Sequence, residues 1–255
     1  MARSTAAAHR PALGRRLLAE LIGTALLVTV VVGSGIAAEQ LSPRDIGVQL
    51  LENSTATVLG LAVLILLFGP VSGAHFNPVV SAADWLLGRR KGTGLAGADV
   101  LAYTVAQVVG AMSGALLANV MFDLPVLQIS THDRLTSGHL IGELVATAGL
   151  VALIFTLART GRAALSAAAV GAYIGAAYWF TSSTSFANPA VTVGRVFSDT
   201  FAGISPGSVA GYVLVQVLGA GLGLGLVLVL YPDVADAADA ADDDSQPFIA
   251  KLIPS

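Results

Sequence analysis

Six runs of this chain stay apolar over most of the width of a bilayer: 21–38, 53–72, 100–122, 144–158, 163–186 and 209–230. Roughly 20 helical residues cross the ~30 Å of hydrocarbon, and most of these runs approach that length. Each is read as a transmembrane helix, which makes the chain an all-α integral membrane protein. A 55% hydrophobic content, 11% charged residues and a mean hydropathy of +0.78 over 255 residues agree, being too apolar for an ordinary soluble domain.

An even number of spans puts both termini on one side of the membrane. With that side cytoplasmic, Arg3, Arg10, Arg15, Arg16, Arg89, Arg90, Lys91, Arg159, Arg162 and Lys251 fall inside, ten of the 13 basic residues. Only Arg44, Arg134 and Arg195 fall outside. The positive-inside rule therefore fixes the orientation. The net charge of −3 carries little weight, since it comes largely from an Ala/Asp stretch near the C-terminus, 233–244, which reads as solvated low-complexity sequence. With no cysteine, disulfides, thiolate metal sites and thiol catalysis are excluded. The basic start, the apolar run 21–32 and the small Ala37 and Ala38 mimic a signal peptide. Cleavage there would leave an odd span count and destroy an internal repeat.

That repeat is visible as matched landmarks. Glu20-Leu-Ile-Gly-Thr-Ala25, Phe76-Asn-Pro-Val79 and Gln107-Val-Val-Gly-Ala111 recur in order as Glu143-Leu-Val-Ala-Thr-Ala148, Ala187-Asn-Pro-Ala190 and Gln216-Val-Leu-Gly-Ala220. Each half holds three spans, so the second copy enters the membrane from the opposite side. Such inverted repeats place the functional site near the midplane. Gly110/Gly114 and Gly219/Gly223 recur at one offset in the third and sixth spans, where small residues let helix backbones approach.

Both Asn-Pro segments follow a full span and precede an apolar stretch too short to cross. Each Asn sits where a helix N-cap belongs and each Pro at the first helical position, where its missing N–H costs nothing. Two half-helices are expected, meeting at the midplane. Irregular backbone at that depth is tolerated only where it is buried in protein or lines a water-filled cavity. Residues 72–76 and 183–187 would expose carbonyl acceptors along a pore, while Asn77 and Asn188 present amide donors and the half-helix dipoles add positive potential. Such a pore replaces the hydrogen bonds of a neutral polar solute and opposes cations and protons. His75, beside the first Asn-Pro, either lines the pore or bonds a loop carbonyl, lining being the favoured reading.

Here the sequence resembles the aquaporin, or major intrinsic protein, family. Ser72-Gly-Ala-His-Phe-Asn-Pro78 and Asn188-Pro189-Ala190 are similar to its paired Asn-Pro-Ala signature, and the resemblance covers residues 15 to 231. It implies six tilted helices, two re-entrant half-helices, a pore in each protomer and a homotetramer. It implies also that Glu20 and Glu143 are buried carboxylates holding the half-helix loops by their backbone N–H groups. The expected organisation is a cytoplasmic segment 1–14, a channel domain 15–231 with repeats at about 15–122 and 136–231, and an acidic cytoplasmic tail 232–255.

The family's narrowest point is counted from the Asn residues: twenty before the first, twelve before the second, three before the second, and directly after the second Asn-Pro-Ala. Those positions are Thr57, Ala176, Ser185 and Val191. The last is normally arginine. A wider, uncharged, less polar constriction is expected, because a guanidinium would have supplied five rigid donors and a full charge. Thr192 replaces the Asp of glycerol facilitators, and Val79 replaces the usual Ala, which would tighten or reshape the loop junction. The filter looks like that of bacterial arsenic-operon aquaporins, which implies metalloid hydroxides such as arsenite, small polyols and water as solutes. A water-selective channel with an unusual filter is the alternative.

Arg195, one turn beyond Val191, is read as capping the end of its half-helix rather than replacing the missing arginine. Asp84, its counterpart in the first repeat, is expected to pair with Arg89 or Arg90. An enzyme would need convergent catalytic groups, and the embedded polar residues are mainly isolated Glu, Gln and Asn. A secondary transporter shares the inverted repeat but would saturate and respond to gradients of a coupling ion. No cofactor, metal or nucleic acid is expected, only the bilayer, small neutral solutes and further copies of the chain.

Overall fold

The computed structural model describes residues 10–89 and 92–232. The expectations for Arg3, Arg90, Lys91, Lys251 and the acidic stretch 233–244 lie outside them.

Eight α-helices follow one another: α1 Leu13–Leu41, α2 Ile46–Ser72, α3 Pro78–Gly88, α4 Gly97–Met121, α5 Ser137–Arg159, α6 Ser166–Phe180, α7 Pro189–Gly194 and α8 Pro206–Leu230. One 3₁₀ turn precedes α6 and another, Arg195–Phe197, extends α7. Among the described residues six helices are long and apolar enough to span a membrane. The two that are not, α3 and α7, both start at an Asn-Pro. The molecule is a multi-pass membrane protein.

Helix ends follow local chemistry. Asp45 caps α2 by accepting from the Val48 N–H, and Thr136 caps α5 by accepting from His139. Pro206 opens α8 at a position where its missing N–H is harmless. The span expected over 163–186 stops at Phe180. There the Thr181 hydroxyl turns back to the Ala177 carbonyl, and Thr184 and Ser185 take positive φ angles of 60° and 51° that no helix continues.

The two halves repeat in space as they do in sequence. Helix α1 packs on α4 as α5 packs on α8. A Cβ added to Gly110 would sit 2.3 Å from the Leu21 carbonyl oxygen, and one on Gly114 2.1 Å from that of Ala25. The matching distances for Gly219 and Gly223 are 2.5 Å to Leu144 O and 2.4 Å to Ala148 O. Only glycine permits these backbones to touch, so the small-residue pairs are the helix-packing seams the sequence suggested. The half-helices cross over: α7 of the second repeat packs on α4 of the first, and α3 packs on α8. Each short helix is thereby held by both halves.

Candidate functional site: a lumen between two half-helices

Each half-helix is introduced by backbone that no helix or sheet supports. Ala74 and Phe76 in the first loop, and Thr184, Ser185 and Ala187 in the second, have φ between 48° and 60°. Each such non-glycine residue costs of order 1–3 kcal/mol and persists only where its surroundings impose it. The buried carboxylates do so. Glu20 accepts the His75 N–H at 3.0 Å and the Phe76 N–H at 2.7 Å. Glu143 accepts the corresponding Phe186 and Ala187 N–H groups, both at 2.8 Å. Gln107 and Gln216 each donate to their glutamate, at 2.8 and 2.6 Å, and to the hydroxyl of Ser81 and Thr192 respectively. Both glutamates are fully buried, and these bonds correspond between the repeats; Glu20 accepts the Ser72 hydroxyl as well, at 2.6 Å. A carboxylate inside a membrane is tolerated when satisfied this way.

The loops end on Asn77 and Asn188, whose Oδ1 atoms accept from the first half-helix N–H groups, Val79 for one and Ala190 with Val191 for the other. Their amide Nδ2 groups cross between repeats. Asn77 donates to the Ala187 carbonyl at 2.8 Å and Asn188 to the Phe76 carbonyl at 2.7 Å. Each Asn therefore caps its own half-helix and fastens the loop that carries the other.

One cavity of about 220 Å³ runs past both Asn residues. On one side it is walled by stripes at helical i, i+4 spacing: Thr57, Leu61 and Ile65 of α2, Leu150, Ile154 and Ala158 of α5, and Val170, Ile174 and Tyr178 of α6. On the other side it meets the loops Gly73–Phe76 and Ser185–Ala187. The lumen is thus apolar on one flank and polar on the other.

Of the expected site residues, Asn77, Asn188, His75, Thr57, Ser185 and Val191 border this cavity. His75 does so while its Nδ1 pairs with the Ser81 hydroxyl at 3.1 Å rather than with a loop carbonyl. Pro78, Pro189 and Ala190 start the half-helices behind it, and Glu20 and Glu143 brace the loops. Val79 belongs to a cluster with Val151, Ala220 and Leu224, so its side chain packs between α3, α5 and α8.

Three expectations are corrected. Ala176 lies on the exposed face of α6 and does not border the lumen; Tyr178 and Ile174 do. Counting back from Asn188 ignores helix phase, and Ala176 is about 200° around the axis from Tyr178. Arg195 is not spent on the helix end: it is 2% exposed, borders the cavity, and donates its Nε–H to the Ala202 carbonyl. The mouth is consequently neither uncharged nor without an aromatic residue. Asp84 does not pair with Arg89, which packs over the Trp85 ring, and the other expected partner, Arg90, lies outside the described residues; Asp84 accepts the Leu95 N–H at 2.7 Å and borders the opposite end of the lumen.

Phe186 was missed. Its ring carries the Arg195 guanidinium on it at 3.4 Å, Arg134 at 5.4 Å, and Tyr212 edge-on at 5.2 Å. Its place after Ser185 in a loop already suspected of lining the pore was the available signal. Around this mouth the segment before α5 is tied to the turn after α7. Arg134 donates to the Gly203 and Phe201 carbonyls, and burial lowers its pKa from the ordinary guanidinium value. Asp199 accepts from the Thr131 N–H, which holds its carboxyl below the usual range. The Leu135 N–H and the Ser208 hydroxyl do the same for Asp133.

Six spans, two crossed half-helices and a lumen past paired Asn amides define a membrane channel. The sequence matches the model of the family described as major intrinsic protein over residues 7–185, and the chain belongs to that family. It is 50% identical over 208 residues to aquaglyceroporin AqpS of Rhizobium meliloti (strain 1021), covering 82% of this chain and 86% of that protein. It is 34% identical over 134 residues to a glycerol uptake facilitator protein of Pseudomonas aeruginosa, covering 52% of this chain and 45% of that one. The X-ray structure of the aquaglyceroporin from Plasmodium falciparum has the same fold, with a TM-score of 0.66 at 17% identity over 89% of this chain and all of the other. Family and relatives are channels, not enzymes.

Proposed function

We propose that this channel passes small uncharged hydroxylated solutes down their gradients: glycerol-sized polyols, neutral metalloid hydroxides such as arsenite, and water. The observation that carries the reading is the reciprocal pair of Asn amides inside one lumen, with loop backbone on one flank and apolar side chains on the other. A polyol or As(OH)₃ exchanges its hydration for amides and carbonyls on the polar flank while its less polar side slides along Leu61, Leu150 and Ile174. Ser185 borders the same lumen beside Val191 and Arg195. The relatives named as aquaglyceroporin and glycerol uptake facilitator support the polyol class. Bracketing by Arg195 and Tyr178 favours, as a second reading, a channel largely restricted to water.

Both termini are cytoplasmic on the positive-inside count, the membrane is the plasma membrane, and the pore is repeated in each subunit of a homotetramer. In this orientation Arg195 stands at the outer mouth and Asp84 at the inner one. Residues 15–231 form the channel domain, flanked by cytoplasmic segments 1–14 and 232–255.

Stopped-flow light scattering on proteoliposomes tests this. Glycerol and arsenite should enter faster than into protein-free liposomes, without saturating at moderate concentration and without responding to pH or ion gradients. Val191→Arg should cut both fluxes about tenfold, a barrier rise of about 1.4 kcal/mol. Unchanged solute flux in that variant would sink the filter reading, and passage of water alone would establish the second.

A further inference from the structure

Arg195 has a role that a helix cap would not need. Its guanidinium is immobilised: Nε–H donates to the Ala202 carbonyl, and the plane lies on the Phe186 ring. Its Nη groups donate to no protein acceptor, and they are not among the enclosed polar atoms left without one, so they face the cavity that the side chain borders. No carboxylate neutralises it, since among the described residues the ion pair present is Arg16 with Asp99 at 2.9 Å. A cation taken out of water without a partner is costly unless something else solvates it. Here the Ala202 carbonyl, the Phe186 ring and the more distant Glu143 carboxylate do part of this, and the contents of the lumen do the rest. The 3₁₀ turn Arg195–Phe197 continues α7, and helical side chains lean back over the turn before them. Arg195 thus reaches back over Val191, toward the level of Ser185 and Tyr178, all on the same lumen.

We propose that Arg195 is the pore's charge-discriminating residue: its free Nη donors bind the oxygens of passing neutral solutes, and its fixed charge turns back cations of the same size. This rests on the channel reading above. Phe186 and Ala202 are positioning groups, holding the guanidinium flat so that its outward edge, rather than a mobile chain, meets the solute. A strut joining α7 to the following turn would require only the Nε bond, which a neutral donor could supply. It would require no unneutralised charge on the lumen.

The test uses urea and guanidinium, which share a planar shape and differ in charge, at low concentration with the full chain in proteoliposomes. The wild type should pass urea and exclude guanidinium. Arg195→Gln keeps a donor for Ala202 but no charge. It should raise the guanidinium-to-urea permeability ratio about tenfold or more, as expected for removing a unit charge within a few ångströms of the path. Arg195→Lys keeps the charge but loses the planar fork. It should still exclude guanidinium while shifting the urea-to-glycerol ratio at least about threefold. Should Arg195→Gln conduct urea with the guanidinium ratio unchanged, the residue is a strut and the proposal is overturned. Should Arg195→Gln not fold, a wild type that passes guanidinium as readily as urea overturns it equally. A wild type that passes neither urea nor glycerol would instead overturn the polyol reading above in favour of the water-restricted one, and the solute-binding role proposed for Arg195 with it.

Discussion

Glu20 and Glu143 show how much a single buried side chain can be made to hold. Each accepts two consecutive loop N–H groups and one glutamine amide. Replacing Glu143 by Gln leaves one side-chain acceptor for these donors and turns an amide toward the others. Unsatisfied buried N–H groups cost about 1–3 kcal/mol each, so Glu143→Gln should lose about 3 kcal/mol. The measurement is thermal unfolding in detergent, where the midpoint should fall, together with solute flux, which should drop with it; an unchanged midpoint would mean the loop is held elsewhere. At this scale the sequence was a mixed guide. Asn77, Asn188 and the glutamates were legible because capping and the intolerance of lipid for lone carboxylates are local rules. Ala176 was misplaced and Tyr178 overlooked because an offset along the chain carries no helix phase. The i, i+4 run Val170, Ile174, Tyr178 carries it.

Among elements, the seams between α1 and α4 and between α5 and α8 leave no room for a side chain. A Cβ at Gly114 would meet the Ala25 carbonyl oxygen at 2.1 Å, with backbone rather than a flexible side chain in the way. Gly114→Val should therefore cost about 3 kcal/mol or more through forced separation of the helices. Loss of monodisperse elution in detergent would report it, whereas Gly221→Ala on α8, where an added Cβ meets nothing within 4 Å, should elute as wild type. The segment between α4 and α5 answers to a different variable. Asp133 and Asp199 have carboxyl pKa values below their ordinary ones because N–H and O–H groups donate to them. Groups lowered on folding stabilise above their unfolded pKa and lose that contribution as pH falls through the folded value. Hydrogen exchange over residues 124–136 should thus be flat from pH 8 to about 5, apart from the chemical rate, and lose protection only below about pH 4. Protection lost already between pH 7 and 6 would show that these carboxyls do not govern the segment. This segment carries no motif that marks it as ordered, since its order comes from contacts with residues 199–208 far along the chain.

Across the whole molecule, the spans, the inverted repeat and the half-helices were readable because apolar length and Asn-Pro capping are written into consecutive residues. The chemistry of the mouth was not, because it depends on which way Arg195 leans and on a Phe186 that serves as its platform. The reciprocal Asn bonds have a further consequence for biogenesis. The acceptor for the Asn77 amide lies 110 residues downstream, so when the ribosome has delivered the first half into the bilayer that donor has nothing native to bind. The first half-helix must wait, incompletely fastened, for its twin to be translated. A nascent chain arrested before Ala187 is accordingly a natural substrate for membrane quality-control proteases, and protection should appear abruptly once the second Asn-Pro has left the exit tunnel.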